Sequence, residues 1–338
     1  MTGAAHPAAL PVPRPVSGRI TLADRWDHLV ARLGVDRMGH RVGAGLYSLG
    51  SPGPDSPVFV TANYTLSFDA LREALAGRDC YIMVLETYGV NVWCAAGKGT
   101  FSTDEMVRRI EATGLGELVR RRALIVPQLG ATGVAAHEVA RRSGFRVEFG
   151  PVRARDLPEY LKTHSATPEM RRVRFTLADR IAVAPVDLVH VGLPMVASAA
   201  AVFLFGGLLA AVAVVAAFVA GTVLFPILLP WLPTRDFTSK GLVVGLAAAL
   251  PFAVAAFAAS PAGAEPHMWQ RLYRALIPLL ALPPATAYLA LNFTGSSTFS
   301  SKSGVKREMM RYIPALAVLF GVGVALGIGY LFLRGGRA

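Results

Sequence analysis

Cysteine is nearly absent from this chain: Cys80 and Cys94 are the only two in 338 residues. Two thiols cannot form a disulfide scaffold, a four-ligand zinc cage or a cysteine-held iron–sulfur cluster within the chain. Charge is scarce in the second half. Residues 191–338 hold 10 Lys/Arg and 3 Asp/Glu, whereas residues 1–190 hold 24 and 19, an ordinary soluble balance. Residues 1–20 lack the compact apolar stretch of an export signal; rich in Pro and Ala, they read as a disordered lead. Without such a signal, the first half is expected in the reducing cytoplasm.

The net charge of +12 divides as +5 and +7 between these halves. Much of the second share flanks apolar runs, at Arg235, Lys240, Lys302, Lys306, Arg307 and Arg311. Cations so placed fit a topology signal and an anionic lipid surface, not a nucleic-acid face. The apolar runs themselves are long enough for membrane spans, which need about 20 apolar residues each. From Val191 to Pro233 there is no charge, enough for two spans with a turn at Gly206-Gly207. Five spans are predicted, at about 191–207, 209–232, 242–259, 272–291 and 313–333. With the amino terminus inside, five place the basic loop around Lys302 in the cytoplasm, as the positive-inside rule favours. The hydroxyl-rich loop from Asn292 to Gly304 then lies on the same side as the first domain, as a flexible connector or a docking surface.

In residues 21–165, short buried strands alternate with helices. Strands are predicted at Val58–Thr61, Cys80–Glu86, Ala123–Val126 and Phe145–Phe149. Helices are predicted at Phe68–Ala76, Asp104–Glu111, Glu117–Arg122 and Val134–Arg142. An earlier amphipathic helix, Leu22–Leu33, places Leu22, Trp26, Leu29, Val30 and Leu33 on one face. The alternation predicts a parallel α/β sheet, which takes ligands beyond the carboxyl ends of its strands. Residues 166–190 form a basic juxtamembrane linker. The pentapeptide TLADR occurs twice, at Thr21–Arg25 and Thr176–Arg180, and reads as coincidence.

Asn91-Val92-Trp93-Cys94-Ala95-Ala96-Gly97-Lys98 places a thiol where a buried strand gives way to a helix. Free N–H groups and the positive end of the helix dipole, with Lys98 one turn on, favour its thiolate form. A thiolate attacks electrophiles or binds soft metals. No Cys or His partner stands at metal-ligand spacing, so any metal must arrive with most of its ligands supplied. On the residues alone, a buried thiol beside a tight turn remains an equal reading. Cys80, opening an apolar strand, reads as a core filler. His137 reads as a surface or supporting residue. The loop Gly130-Ala131-Thr132-Gly133, at another strand end, shares a site with Cys94 if both face one cleft.

NVWCAAGK, with the strand before it, PQLGATGVAAHEV after it, the apolar tail and the NFTGSST loop, resembles the mercury-methylating corrinoid proteins. That family is similar in its cofactor domain to the corrinoid iron–sulfur protein of the acetyl-CoA pathway. The resemblance implies a Rossmann-like corrinoid-binding domain followed by an all-α transmembrane domain. It implies a cobalamin-type corrinoid with Cys94 as lower axial cobalt ligand. Asn91, Val92, Trp93, Ala95, Ala96, Gly97 and Lys98 would line the lower face, with Gly130, Thr132 and Gly133 as further contacts. A thiolate opposite the methyl group raises electron density on cobalt and favours transfer of a carbanion equivalent from methyl-Co(III) to inorganic Hg(II). The Asp-x-His-x-x-Gly motif by which many corrinoid proteins supply histidine is missing; Asp187–Gly192 has the wrong spacing. The implied partners are a ferredoxin-like [4Fe–4S] electron donor and a methyl-folate or its methyltransferase, and the implied place is the cytoplasmic membrane. A corrinoid methyl carrier of one-carbon metabolism is the alternative, with a thiol-based membrane sensor or transporter behind it.

Overall fold

The structure is a computed structural model describing residues 12–36, 38–259, 266–293 and 302–335. The chain divides into two units, Met1–Arg174 and Phe175–Ala338. In the first, six strands form one sheet: β1 (Arg14–Val16), β2 (Gly45–Leu49), β3 (Val58–Ala62), β4 (Cys80–Leu85), β5 (Ala123–Val126) and β6 (Arg146–Phe149). Their order is β1-β2-β4-β3-β5-β6.

Strands β4, β3, β5 and β6 run parallel, as the alternation predicts. The sheet is mixed rather than all parallel, because β2 is antiparallel to β4, with Gly45 opposite Val84 and Leu49 opposite Cys80. The link from β2 to β3 carries Pro52, Gly53 and Pro54 and no helix, whereas a parallel return needs a crossover of about a dozen residues or more. Part of the segment expected to be disordered is ordered. Arg14–Val16 pairs with β2, and the Arg72 guanidinium donates to the carbonyls of Ser17 and Arg19, each at 2.7 Å.

Along β4, Cys80, Ile82 and Val84 enter one core while Tyr81, Met83 and Leu85 enter the other, all of them buried. Both faces of the strand are therefore covered, which is why it reads as an unbroken apolar run. The helices of this unit are α1 (Leu22–Arg32), α2 (Thr65–Ala74), α3 (Val92–Lys98), α4 (Thr103–Ala112), α5 (Leu115–Leu118), α6 (Ala136–Ser143), α7 (Leu157–Thr163) and α8 (Pro168–Arg171). Val92, Met106, Leu115 and Val139, from α3 to α6, fill the core on one face. Phe68, Leu157 and Met170, from α2, α7 and α8, fill the other.

Helix α1 forms as predicted, but Leu22, Trp26 and Leu29 on its apolar face are exposed. Polar groups attach it instead: His28 Nε2 lies 2.7 Å from Asp69 Oδ2, and Arg72 pairs with Asp24 at 2.8 Å. The two TLADR segments prove to be one device used twice. Thr21 with Asp24, and Thr176 with Asp179, each form a capping box that opens a helix. Threonine accepts from the aspartate N–H and the carboxylate accepts from the threonine N–H, which satisfies two donors that a helix start leaves open.

The second unit comprises α9 (Leu177–His190), α10 (Gly192–Val219), a π-helical turn at 220–224, α11 (Phe225–Leu228), α12 (Phe237–Ala258), α13 (Met268–Asn292) and α14 (Lys302–Gly335). Among the described residues, four helical runs are long and apolar enough to cross a membrane: Gly192–Trp231, Phe237–Ala258, Met268–Asn292 and Ser303–Leu333. The prediction of five counted the 40-residue first run as two. That run is interrupted at Gly207, whose φ of 78° and ψ of −175° are not helical. The Arg180 guanidinium donates to the Ile227 carbonyl at 2.6 Å and lies over the Trp231 ring, so the chain folds back between them.

One end of this unit gathers aromatic and polar ties. Phe175 stacks on Phe293, which meets Phe225 edge-on, and Phe225 packs against Phe237. Glu308 accepts from Thr238 N–H and hydroxyl, and Tyr312 donates to Asp236 at 2.7 Å. The hydroxyl-rich segment falls largely at 294–301, outside the described residues.

Candidate functional site

Beyond the carboxyl end of β4, Glu86 to Val90 turn the chain into α3. Tyr88 (φ 57°) and Gly89 (φ 73°) both adopt the left-handed conformation. Asn63, buried at the end of β3, fastens this turn. Its Oδ1 accepts from Thr87 N at 3.2 Å and Gly89 N at 3.0 Å, and its Nδ2 donates to Glu86 Oε1 at 2.6 Å. A second tie comes from α4, where the buried Glu105 carboxylate accepts from Glu86 N at 2.8 Å. Burial works against ionising Glu105, but the Glu86 N–H and the Arg109 and Arg108 guanidiniums outweigh it and hold the carboxyl below the usual carboxylate range.

Helix α3 is bounded by its own sequence. Asn91 is the N-cap, accepting from Cys94 N at 2.9 Å, and Gly99 in the left-handed conformation (φ 82°) ends the helix. Cys94 is thus held through its own amide, with its side chain half-buried. Cys80, by contrast, is fully buried, and burial pushes its thiol up to about 12. It is inert.

A cleft of about 370 Å³ opens at the carboxyl ends of β3, β5 and β6. Its walls include Thr61, Leu66 and Leu71 on one side and Asn91, Val92, Trp93 and Leu129 on the other. Of the predicted lower-face residues, Asn91, Val92 and Trp93 border this cleft, while half-buried Cys94 lies one residue beyond. Ala95 and Ala96 face the core rather than the cleft, since the buried side of so short a helix must pack on the sheet. Gly97 and Lys98 are exposed, as is Thr132. Gly130 and Gly133 lie behind α3 and serve packing. A Cβ on Gly130 would stand 2.6 Å from Phe101 Cε1, and one on Gly133 would stand 2.2 Å from the Phe101 carbonyl O and 3.0 Å from Ala96 Cα. The Gly130–Gly133 loop therefore supports the Cys94 helix from beneath. His137 is exposed and lies 3.8 Å from Glu138. Asn63, Thr87 and Glu105 carry no motif, and the sequence reading missed them.

Among the described residues, no three His, Cys, Asp or Glu side chains gather to hold a bare metal ion. One soft donor beside an apolar wall suits a metal that brings its equatorial ligands on a flat macrocycle. The donor set present fits a corrinoid in this respect.

Residues 36–161 match the family described as CO dehydrogenase/acetyl-CoA synthase delta subunit. Similar curated proteins include the acetyl-CoA decarbonylase/synthase complex subunit gamma of Methanopyrus kandleri, 32% identical over 128 residues, covering 37% of this chain and 27% of that one. The Archaeoglobus fulgidus subunit gamma is 33% identical over 114 residues, covering 33% and 24%. The Methanothermobacter thermautotrophicus subunit gamma is 32% identical over 127 residues, covering 37% and 27%. The chain thus spans about a quarter of the length of these relatives, and the residues matched by the family, 36–161, hold the cleft and the Cys94 helix. These similarities fall on the acetyl-CoA-pathway side of the resemblance drawn from the motif, and its first unit is similar to proteins of that pathway.

Proposed function

We propose that this chain is a membrane-anchored, corrinoid-dependent methyltransferase, with Cys94 as lower axial ligand of the cobalt and inorganic Hg(II) as methyl acceptor, giving methylmercury. The observation that carries the reading is the placing of a single half-buried thiol on a self-capped helix beside Trp93 and an apolar cleft. When bound, the corrinoid supplies a cobalt-carried methyl group; the chain supplies what holds and tunes it. Asn91 fixes the amide of Cys94, Trp93 and Val92 provide apolar contact, and Asn63 and Glu105 keep the preceding turn from moving. With two cysteines the chain holds no iron–sulfur cluster of its own, so electrons come from a separate protein of the [4Fe–4S] ferredoxin type. The methyl group comes from methyl-folate or its methyltransferase. The first unit faces the cytoplasm, on the inner side of the membrane.

The similar acetyl-CoA decarbonylase/synthase subunits favour a second reading, a corrinoid methyl carrier of one-carbon metabolism. Two measurements separate the possibilities. Full-length protein purified without oxygen and reconstituted with cobalamin should show a shifted visible spectrum that Cys94→Ala abolishes; identical spectra would sink the ligand assignment. Cells carrying the intact chain should then convert added Hg(II) to methylmercury, and cells carrying Cys94→Ala should not. A Cys94-dependent spectrum without methylmercury would leave the carrier reading standing.

A further inference from the structure

On the α7–α8 side of the first unit, Arg121, Arg146 and Arg171 converge on an open polar cleft of about 530 Å³, with His164 and Ser165 beside them. They come from three elements: the turn before β5, strand β6 and helix α8. Among the described residues that line it, Glu148 is the only carboxylate. Glu148 pairs with Arg146 at 2.5 Å and with Arg121 at 3.8 Å. Among the described residues, Arg171 donates to neutral acceptors, the Ala166 carbonyl at 3.3 Å and Gln128 Oε1 at 3.5 Å. Planar guanidiniums with spare donors, in excess over carboxylate, recognise phosphate through paired N–H bonds. A second depression, bordered by Arg153, Arg155, Arg172 and Arg174, also carries Asp156, Glu159 and Glu169 and is close to charge balance, so the arginine excess belongs to the first.

The position of this face along the chain names the source of the phosphate. Arg174 is bonded to Phe175, and Phe175 stacks on Phe293 at the end of the apolar unit. Arg171 is therefore four residues from an aromatic anchor at a bundle end, at most about 14 Å of extended chain. Four residues of tether bound how far Arg171 can lie from that anchor, and basic segments next to apolar spans are attracted to anionic lipid head groups.

We propose that the Arg121–Arg146–Arg171 cleft binds the phosphate of an anionic phospholipid head group and so docks the first unit on the membrane surface. This reading is independent of which molecule accepts the methyl group. The test uses the full chain in nanodiscs of phosphatidylcholine alone or with one-third phosphatidylglycerol, read by hydrogen exchange. Amides at 146–149 and 164–172 should exchange about fivefold more slowly with phosphatidylglycerol, given the attraction per basic residue near such a surface. The slowing should vanish in the Arg121→Gln/Arg146→Gln/Arg171→Gln variant and at high salt, while exchange along β4 stays unchanged and shows the fold intact. Equal exchange in both lipids overturns the proposal. Equal slowing by inorganic phosphate in phosphatidylcholine discs also overturns it, because the ligand would then be a soluble phosphate.

Discussion

Asn91→Ala should loosen the Cys94 helix without unfolding the domain. Helix α3 has seven residues, whereas isolated helices shorter than about 12–15 residues are marginal in water. It persists because Ala95 and Ala96 are buried beneath it and because its ends are closed by Asn91 and Gly99. Removing an N-cap side chain costs about 1 kcal/mol. Here the cost falls on the first turn, since the lost bond is the one that holds Cys94 N. One kcal/mol is about a fivefold change in a local opening equilibrium. Amides of Trp93 to Ala95 should therefore exchange about fivefold faster in Asn91→Ala, measured by mass spectrometry on cofactor-free protein. Asn91→Asp and Asn91→Ser keep an acceptor oxygen and should restore near-original exchange. Unchanged exchange in Asn91→Ala would refute the reasoning, and so would failure of both replacements to rescue it.

Gly133→Ala should destabilise the first unit by about 1–3 kcal/mol, as overpacking does, and weaken cobalamin binding, because the new methyl meets backbone on both Phe101 and Ala96. A thermal midpoint and a cobalamin titration equal to those of the parent would contradict it. The Glu105 carboxyl titrates below its ordinary value of 4.5, so its stabilisation is present above that pH and is lost as the pH falls through the lowered folded value. Glu105→Gln should lower the neutral-pH melting temperature and flatten the acid limb of the melting-temperature profile below about pH 4.5; parallel profiles would count against the tie to Glu86. A thiol alkylating reagent at pH 8 should label native protein at Cys94 and leave Cys80 unmodified until denaturant is added, as peptide mapping would show.

Strands β3 to β5 were legible because each is a short apolar run buried on both faces, and β6 because Val147 and Phe149 alternate with the polar Arg146 and Glu148. Helices α4 and α6 show through amphipathic spacing, whereas the helix expected at Glu117–Arg122 is instead the single turn Leu115–Leu118, after which the chain is extended at Val119. Strand β1 was not legible, since the three residues Arg-Pro-Val are too short a run to signal a strand, and it forms by pairing with β2 while Val16 packs on the core. Strand β2 hid because Gly45-Leu46-Tyr47-Ser48-Leu49 is short and lies among glycines. The face of α1 was read correctly as a pattern, yet no segment of the described chain covers it, because amphipathicity marks a face without naming its partner. At the site, the motif located Cys94 and its helix. It could not separate residues that border the cleft from those that turn inward, such as Ala95 and Ala96. The residues that hold the turn, Asn63 and Glu105, lie 31 residues before and 11 residues after Cys94 and act through space, so nothing local announces them.

The nine residues from Asn91 to Gly99 form a unit whose length is fixed from within. Each helical residue turns the chain by about 100°. One residue inserted or removed between Asn91 and Cys94 would rotate the sulfur to another side of the helix and separate the capping oxygen from the amide it now holds. Substitutions at Gly97 or Lys98, which are exposed, leave that phase untouched. The motif should therefore tolerate changes of side chain along its outer surface far better than any change in its residue count.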